Sequence, residues 1–313
     1  MKIKPVKIGR LFWNIIRSVI IIGISYYILY PIFIKFSLAF MSKEDLYDIT
    51  VRLIPRNFTL DNIRLVFTQL DYFTSLSNTT LLSVMTTVLQ LISCLLVGYG
   101  FARFDFWGKK VFFGIVILTL LIPPQVLITP MYMRFRFFDI FGIFNIFTKT
   151  GGFNLLNTPW PFILSAITCM GLRNGLFIFV TRQFFRNLPK ELEDAALIDG
   201  AGYFRTFLHI MLPSSKPIIT TVALFSFVWQ WNDVFYVSWY MSKSQILAMK
   251  LDALANNILS LSIQSGAGST MDIAYVTLIN STGCLFVIVP LLLLYVFAQK
   301  IFVESIERTG IVG

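Results

Sequence analysis

The sequence is poor in the side chains that most often perform chemistry. It has one histidine, three cysteines and only 13% charged residues in a chain of 313. The single histidine, His209, leaves no Ser-His or Cys-His pairing for nucleophilic catalysis. The cysteines, Cys94, Cys169 and Cys284, fit neither a disulfide framework nor a metal cluster of known spacing. A phosphate-binding loop of the Gly-x-x-x-x-Gly-Lys-Ser/Thr type is also missing. We predict no enzyme activity, no metal and no cofactor for this chain.

Apolar residues are what the sequence has in abundance. They make up 56% of the chain, which is too much for an ordinary soluble domain. Crossing a bilayer takes roughly 20 residues of helix, and helices satisfy their own backbone hydrogen bonds in lipid. The sequence therefore predicts an all-α, polytopic membrane protein with six transmembrane helices. The predicted spans cover residues 18–34, 72–102, 111–133, 159–181, 217–240 and 273–299.

The basic residues predict the orientation of these spans. They cluster before the first span, in the second and fourth connections and in the tail, which places both termini in the cytoplasm. The third connection runs against this pattern with Arg134, Arg136 and Lys149, but it is longer than the second and its charges should count for less. The net charge of +10 is typical of cytoplasmic loops, and no basic, aromatic stripe points to nucleic acid. A secretory signal is disfavoured because no small-residue cleavage site follows the first apolar run.

The predicted spans divide the chain into three parts. Residues 1–71 form a cytoplasmic N-terminal segment, the first span and an extracytoplasmic loop. Residues 72–302 form a five-helix core that carries a polar cytoplasmic insert at 186–216, and residues 303–313 form a cytoplasmic tail. A second extracytoplasmic loop is predicted at 241–272.

The polar insert at 186–216 has the pattern of two short helices separated by a turn. Asn187 can cap a helix that begins near Leu188, with acidic residues in its first turn. Asp199-Gly200 ends that helix, because glycine adopts the left-handed turn at low cost. An amphipathic stripe follows, and Pro213 ends it. Physical chemistry alone leaves open whether this hairpin docks on a partner or merely joins two spans at the membrane interface. The stripe consists of Phe204, Phe207, Leu208 and Met211.

The spacing within the insert resembles the cytoplasmic coupling motif of ABC-importer permeases. The run is Asp194-Ala195-Ala196, three residues, Gly200, nine residues, then Ile210-x-Leu212-Pro213, with aspartate where that family has glutamate. The resemblance implies a type I ABC importer permease fold and a helix that docks on the partner ATPase. The coupling residues it implies are Glu191, Glu193, Asp194, Ala195, Ala196, Asp199, Gly200, Leu212 and Pro213.

Further runs resemble the sugar-importer branch of that family, in family order from Asn78 onward. They include Gly100-Phe101-Ala102-Arg103, Phe179-x-x-Arg182 and Trp231-Asn232-Asp233. The chain resembles the six-helix member of the pair in the maltose-transporter type. This implies a subunit of an ATP-driven importer in a prokaryotic plasma membrane, translocating a carbohydrate delivered by a solute-binding protein. Its implied partners are a second permease, two ATP-binding subunits and that binding protein, with no nucleic acid.

Other function classes stay open at this point. A permease for a solute other than sugar would carry the same coupling motif. A secondary transporter is the next alternative, but such proteins are usually built of repeats and carry several intramembrane carboxylates, whereas one is apparent here. A membrane enzyme would need a polar catalytic set within the spans, and none converges.

Two polar groups within the spans are candidates for the translocation pathway. The first is Arg173 with Asn174, because an arginine near the bilayer midplane needs a cavity or a partner. It would face the pathway and favour an acidic saccharide, or it would serve as a structural arginine bonded to carbonyl groups. The second is Trp231, Asn232 and Asp233, which would line the pathway or form a hydrogen-bonding cluster at a helix end.

Overall fold

The structure, a computed structural model, describes residues 8–140, 142, 152–264 and 273–310. Its regular secondary structure is helical, with isolated bridges pairing Met41 with Phe58 and Phe138 with Phe153. The helices in chain order are α1 (Ile8–Ala39), α2 (Lys43–Tyr47), α3 (Asp61–Gln69), α4 (Tyr72–Arg103), α5 (Lys109–Leu121), α6 (Pro124–Arg136), α7 (Trp160–Ile167), α8 (Asn174–Asn187), α9 (Glu191–Ile198), α10 (Tyr203–Thr206), a π-helical turn (Phe207–Met211), α11 (Leu212–Ser214), α12 (Lys216–Trp231), α13 (Phe235–Tyr240), α14 (Leu247–Gln264) and α15 (Ile273–Gly310).

Three of these helices contain segments long and apolar enough to cross a membrane. The segments are Phe12–Ala39, Tyr72–Arg103 and Ile273–Gln299. Two further pairs qualify if each bent pair counts as one span: α5 with α6, bent by 105°, and Tyr203–Ser214 with α12, bent by 79°. The described residues therefore provide three to five spans by length and composition, and the count of six stays a prediction.

Three of the other predicted spans are interrupted, and the fifth, predicted at 217–240, is α12 and α13, separated at residues 232–234. The third breaks between α5 and α6, where Pro123 is extended and Pro124 begins the next helix. The fourth, predicted at 159–181, is instead α7 and α8. The backbone angle φ is +59° at Cys169 and +61° at Arg173, a left-handed conformation that an α-helix cannot contain. The prediction of one continuous helix there was wrong. The break could not be predicted because no proline marks it.

The chain separates into two compact units. One comprises Met1–Tyr72 with Ala253–Val289, and the other comprises Phe73–Asp252 with Pro290–Gly313. The predicted division kept 72–302 together, whereas residues 253–289 group with the N-terminal part. Ring contacts within the first unit explain this: the Lys43 ammonium lies 4.1 Å from the Tyr275 ring centroid, and the rings of Tyr72 and Phe286 are 4.9 Å apart.

The first unit also contains a firmly held loop after α2. The buried Asp45 carboxylate accepts hydrogen bonds from the backbone N–H groups of Arg56 and Asn57, both at 2.7 Å, and from the Asn57 side chain at 2.9 Å. A carboxylate with several N–H donors is well satisfied without a counter-ion. The loop predicted to be extracytoplasmic is therefore ordered by its own side chains.

One buried cluster of the second unit forms where α4 lies against α8. Gly98 permits the approach, because a Cβ at that position would lie 2.1 Å from Thr181 Oγ1 and 2.8 Å from Thr181 Cβ. Small residues allow membrane helices to pack this closely. The cluster joins α4, α8, the π-helical turn and α12. It consists of Cys94, Leu95, Tyr99, Phe177, Ile178, Phe185, Phe207, Met211, Ile218 and Val222.

Candidate functional site

The first candidate site is the insert at 186–216, whose first helix is α9. Three acidic residues, Glu191, Glu193 and Asp194, occupy its first turn, where the helix dipole favours negative charge. Asn187 does not cap α9 as predicted, because α8 continues through that residue.

The helix α9 ends in the left-handed turn that the sequence predicts at Gly200, where φ is +81°. The Gly200 N–H donates to the Leu197 carbonyl at 3.1 Å, and the Ala201 N–H donates to the Ala196 carbonyl at 2.9 Å. These bonds satisfy the carbonyl groups that a helix end leaves free. The turn therefore fixes the direction in which the chain leaves α9.

Most of the predicted coupling residues lie on the surface of this chain. Of the run Asp194-Ala195-Ala196, Asp194 and Ala195 are exposed and Ala196 is buried. At the other end of the motif, Leu212 is half-buried and Pro213 is exposed. The remaining exposed members are Glu191, Asp199 and Gly200.

Glu193 instead faces its own chain, where it pairs with Arg103 at the end of α4. Arg103 Nε lies 3.1 Å from Glu193 Oε1, and the two side chains are only 5% and 13% exposed. The contact is an ion pair and not an aligned hydrogen bond. Arg103 Nη2 also donates to the Leu188 carbonyl at 2.8 Å. The end of α4 therefore holds both the first turn of α9 and Leu188, which caps the end of α8. Sequence reasoning had no signal for this pair, because the two residues are far apart in the chain.

The second half of the insert differs from the predicted stripe. Phe207 and Met211 are buried in the core, whereas Phe204 and Leu208 are exposed. The π-helical turn at Phe207–Met211 widens the helix and shifts the side-chain register there. The helical segment ends at Ser214, one residue after the predicted end at Pro213, and the chain bends before Lys216.

The second candidate site is a cavity of about 280 Å³ inside the second unit. It lies where three chain breaks meet α4: the bend between α5 and α6, the segment between α7 and α8, and the end of α12. Its lining includes Gln90, Cys169, Arg173, Asn174, Gln230 and Tyr236.

A buried side-chain network forms the wall of this cavity. Gln90 Nε2 donates to the Leu172 carbonyl at 3.0 Å and to Asn174 Oδ1 at 2.6 Å, and the Ser226 hydroxyl donates to Gln90 Oε1. Gly171 leaves room for the network, because a Cβ there would lie 2.7 Å from Gln90 Nε2. Of these residues sequence reasoning named only Asn174 as a site residue, since glutamine and serine in apolar helices carry no motif.

The predicted pathway residues divide between two places. Arg173 and Asn174 line the cavity, whereas Trp231, Asn232 and Asp233 are outside its described lining. Asn232 donates to the Val228 carbonyl at 2.8 Å, and Asp233 accepts from the Tyr236 N–H at 3.0 Å. These bonds favour the alternative of a hydrogen-bonding cluster at the end of α12.

Arg173 does not pair with Asp233 within the described part of the chain. Its guanidinium carbon lies 5.5 Å from the centroid of the Trp229 ring, within cation-π range. The left-handed backbone at Arg173 directly precedes α8. The side chain therefore belongs to the break between α7 and α8, not to the interior of a helix.

Long apolar helices, joined by a charged insert whose first helix ends at a left-handed glycine, indicate an integral membrane protein of the transport-permease class. The chain belongs to the family described as the binding-protein-dependent transport system inner membrane component, whose model matches residues 94–308. The matched region covers both candidate sites except Gln90 and the other α4 residues before Cys94. The chain is therefore an inner-membrane subunit of a transport system.

Three similar proteins each cover 85% or more of the chain. The arabinooligosaccharides transport system permease AraQ of Halalkalibacterium halodurans is 29% identical over 85% of this chain and 84% of its own. The maltodextrin transport system permease MalD of Streptococcus pneumoniae is 24% identical over 97% and 98%. The polygalacturonan/rhamnogalacturonan transport system permease YtcP of Bacillus subtilis is 26% identical over 85% and 86%.

A solved structure shares the fold. It is a chain of a bacterial ABC transporter involved in the import of the acidic polysaccharide alginate, with a TM-score of 0.68. The two chains are 20% identical, and the match covers 96% of this chain and 99% of the other. At that identity the likeness establishes the permease fold alone.

Proposed function

We propose that this chain is one of two permease subunits of an ATP-driven importer that translocates a carbohydrate delivered by a solute-binding protein. The observation that carries the proposal is the insert at 186–216, in which Arg103 holds an acidic helix that ends at Gly200. A helix that is fixed to the end of a long apolar helix can transmit a push from a partner to the spans. The chain has no phosphate-binding loop, so the push comes from a separate ATPase.

The surface of the insert supports docking of such a partner. Besides the exposed acidic residues of α9, it presents the large apolar side chains of Ile198 and Phe204, which are 85% and 67% exposed. Exposed apolar groups rimmed by charge are typical of protein interfaces. In this proposal α9, Gly200 and Phe204 contact the ATPase, while Glu193 and Arg103 keep the helix in place.

The relatives support a saccharide as the solute. The names of AraQ, MalD and YtcP all give a polysaccharide or oligosaccharide, and two of the similar transporters, YtcP and the alginate importer, are named for acidic polymers. Arg173 at the cavity provides the cation that an acidic saccharide would need. We therefore include acidic oligosaccharides among the proposed substrates.

Purification of the tagged chain from its own host membranes tests the proposal. We expect an ATP-binding subunit and a second permease to copurify, and the complex in proteoliposomes to take up labelled oligosaccharide only with ATP and the binding protein. Uptake driven by an ion gradient without ATP would support the secondary transporter instead. ATP-dependent activity that no saccharide stimulates would support a permease for another solute.

A further inference from the structure

Two amide groups in the cavity wall have hydrogen-bond donors that remain unused. Asn174 is 2% exposed and Gln230 is 5% exposed, and both line the cavity. Asn174 Nδ2 and Gln230 Nε2 have no hydrogen-bond partner within the described residues. A buried donor without an acceptor destabilises the fold, so two in one wall require an explanation.

The network fixes the orientation of the Asn174 amide. The Leu172 carbonyl can only accept, so the Gln90 atom that faces it must be the NH₂ group. The same NH₂ group faces Asn174, and the atom it meets must therefore be the oxygen, Oδ1. The remaining end of the Asn174 amide is the NH₂ group. Ser226 holds Gln90 from the other side by donating to Oε1. The free donor of Asn174 is consequently built into the wall.

The charged lining of the cavity is positive, and the nearby Asp233 carboxylate, which accepts from the Tyr236 N–H, lies outside that lining. Arg173 is among its described lining residues, and none of those residues is acidic. Arg173 brings guanidinium N–H groups that can bind a carboxylate with two parallel bonds. Two neutral donors and one cationic donor suit a group that only accepts hydrogen bonds and carries negative charge.

The size of the cavity limits what enters it. Its volume of about 280 Å³ is close to the lower end of small-molecule sites, roughly 300 to 1,000 Å³. The rings of Phe162, Tyr236 and Tyr240 also line it, and they offer flat apolar surface for a sugar ring. One end of a saccharide chain fits such a space better than a long polymer.

We propose that this cavity is a binding subsite, within this subunit itself, for the carboxylate of an acidic sugar residue. Arg173, Asn174 and Gln230 contact the carboxylate, and Gln90 is a positioning residue that orients Asn174. The inference rests on the proposed import of carbohydrates and adds that this permease contacts the solute. It also gives the unused amide donors a ligand.

Uptake by the complete reconstituted complex tests the proposal with a galacturonic acid disaccharide and the neutral galactose disaccharide of the same linkage. Gln230→Glu replaces a donor by a negative acceptor of similar shape. We expect the ratio of acidic to neutral uptake to fall at least about tenfold, the loss that one charge-assisted hydrogen bond would cause. Gln245→Glu adds the same charge at an exposed position outside the cavity lining and should leave the ratio unchanged.

A labelling measurement tests binding without transport. Cys169 lines the cavity, so bound acidic disaccharide should protect its thiol from a small maleimide, as measured by mass spectrometry of its peptide. Gln230→Glu should abolish that protection. If Gln230→Glu prevents assembly, Arg173→Gln serves instead, because Arg173 is exposed.

The outcomes separate the two proposals. Failure of the wild-type complex to move either sugar with ATP would overturn the carbohydrate function. ATP-driven uptake with the same acidic-to-neutral ratio in wild type and variants would leave that function standing and overturn the subsite. Protection of Cys169 by phosphatidylglycerol but not by the acidic disaccharide would assign the cavity to a lipid headgroup and also overturn it.

Discussion

The insert at 186–216 and the cavity are two parts of the same compact unit, but they are built in different ways. The turn of the insert is set locally, by Gly200 at φ +81° ending α9, and one distant residue, Arg103, holds that helix in place. The cavity depends on residues that are distant in the chain, since Gln90 binds both Asn174 and Ser226. Both regions meet on α4, which carries Gln90 near its middle and Arg103 at its end. The difference predicts that α4 substitutions near Arg103 affect coupling, whereas those near Gln90 affect solute preference.

The largest effect is expected from removing Arg103. Arg103→Met leaves Glu193 buried without its cation, and breaking such a pair costs about 3 to 5 kcal/mol. We expect lower thermal stability of the purified complex and little ATP-dependent uptake. The matched control is Lys109→Met, which breaks an ion pair with Asp105, a carboxylate 97% exposed, and should change neither measurement.

A second measurement separates charge from packing at this pair. The double variant Arg103→Met, Glu193→Met removes both charges and should be more stable than Arg103→Met alone. Equal stability of the single and double variants would contradict the idea that the pair stabilises the start of α9.

A side chain placed in the close contact between α4 and α8 should affect both the insert and the cavity. A side chain at Gly98 would lie against Thr181, so Gly98→Val must displace α8 and with it Arg173 and Asn174. Overpacking of this kind costs about 1 to 3 kcal/mol. Gly100→Val is the control on the same helix, because a Cβ there meets nothing within 4 Å. The thermal midpoint and the yield of assembled complex measure the effect. Equal loss in Gly98→Val and Gly100→Val would show that valine on α4 is destabilising in itself, and that the contact with Thr181 is not the cause.

Strain at the turn after α9 should affect coupling more than stability. A Cβ at Gly200 meets nothing within 4 Å, so Gly200→Val acts only through its left-handed backbone, at about 1 to 2 kcal/mol. We expect the complex to insert and assemble, but to take up less sugar for each ATP molecule that it hydrolyses. Gly202→Val is the control, since Gly202 has φ −72° and equal space. Normal uptake per ATP in Gly200→Val would contradict a coupling role for α9.

What the sequence could predict follows the same division between local and distant contacts. The long apolar helices, the acidic start of α9 and the glycine turn depend on neighbouring residues, and the sequence alone predicts them. The break at Cys169 and Arg173 carries no proline, so the fourth span was expected to be one helix. Arg103 with Glu193 and Gln90 with Asn174 are contacts between residues about 80 to 90 positions apart, which one sequence cannot reveal.

The smallest effect is expected from Ser226, which touches the cavity only through Gln90. Ser226→Ala removes the hydroxyl that donates to Gln90 Oε1 and leaves the donors to Leu172 and Asn174 in place. A lost neutral hydrogen bond costs about 1 kcal/mol, and here it would loosen the orientation of Asn174 rather than remove its NH₂ group. We expect the apparent KM for the acidic disaccharide to rise about fivefold with kcat and neutral uptake unchanged. Ser238→Ala, on the neighbouring helix α13, removes a hydroxyl that bonds only the Phe235 carbonyl and should change neither constant. An equal rise for both sugars would mean that Ser226 supports the packing of α12 against α4 and not the preference for acid.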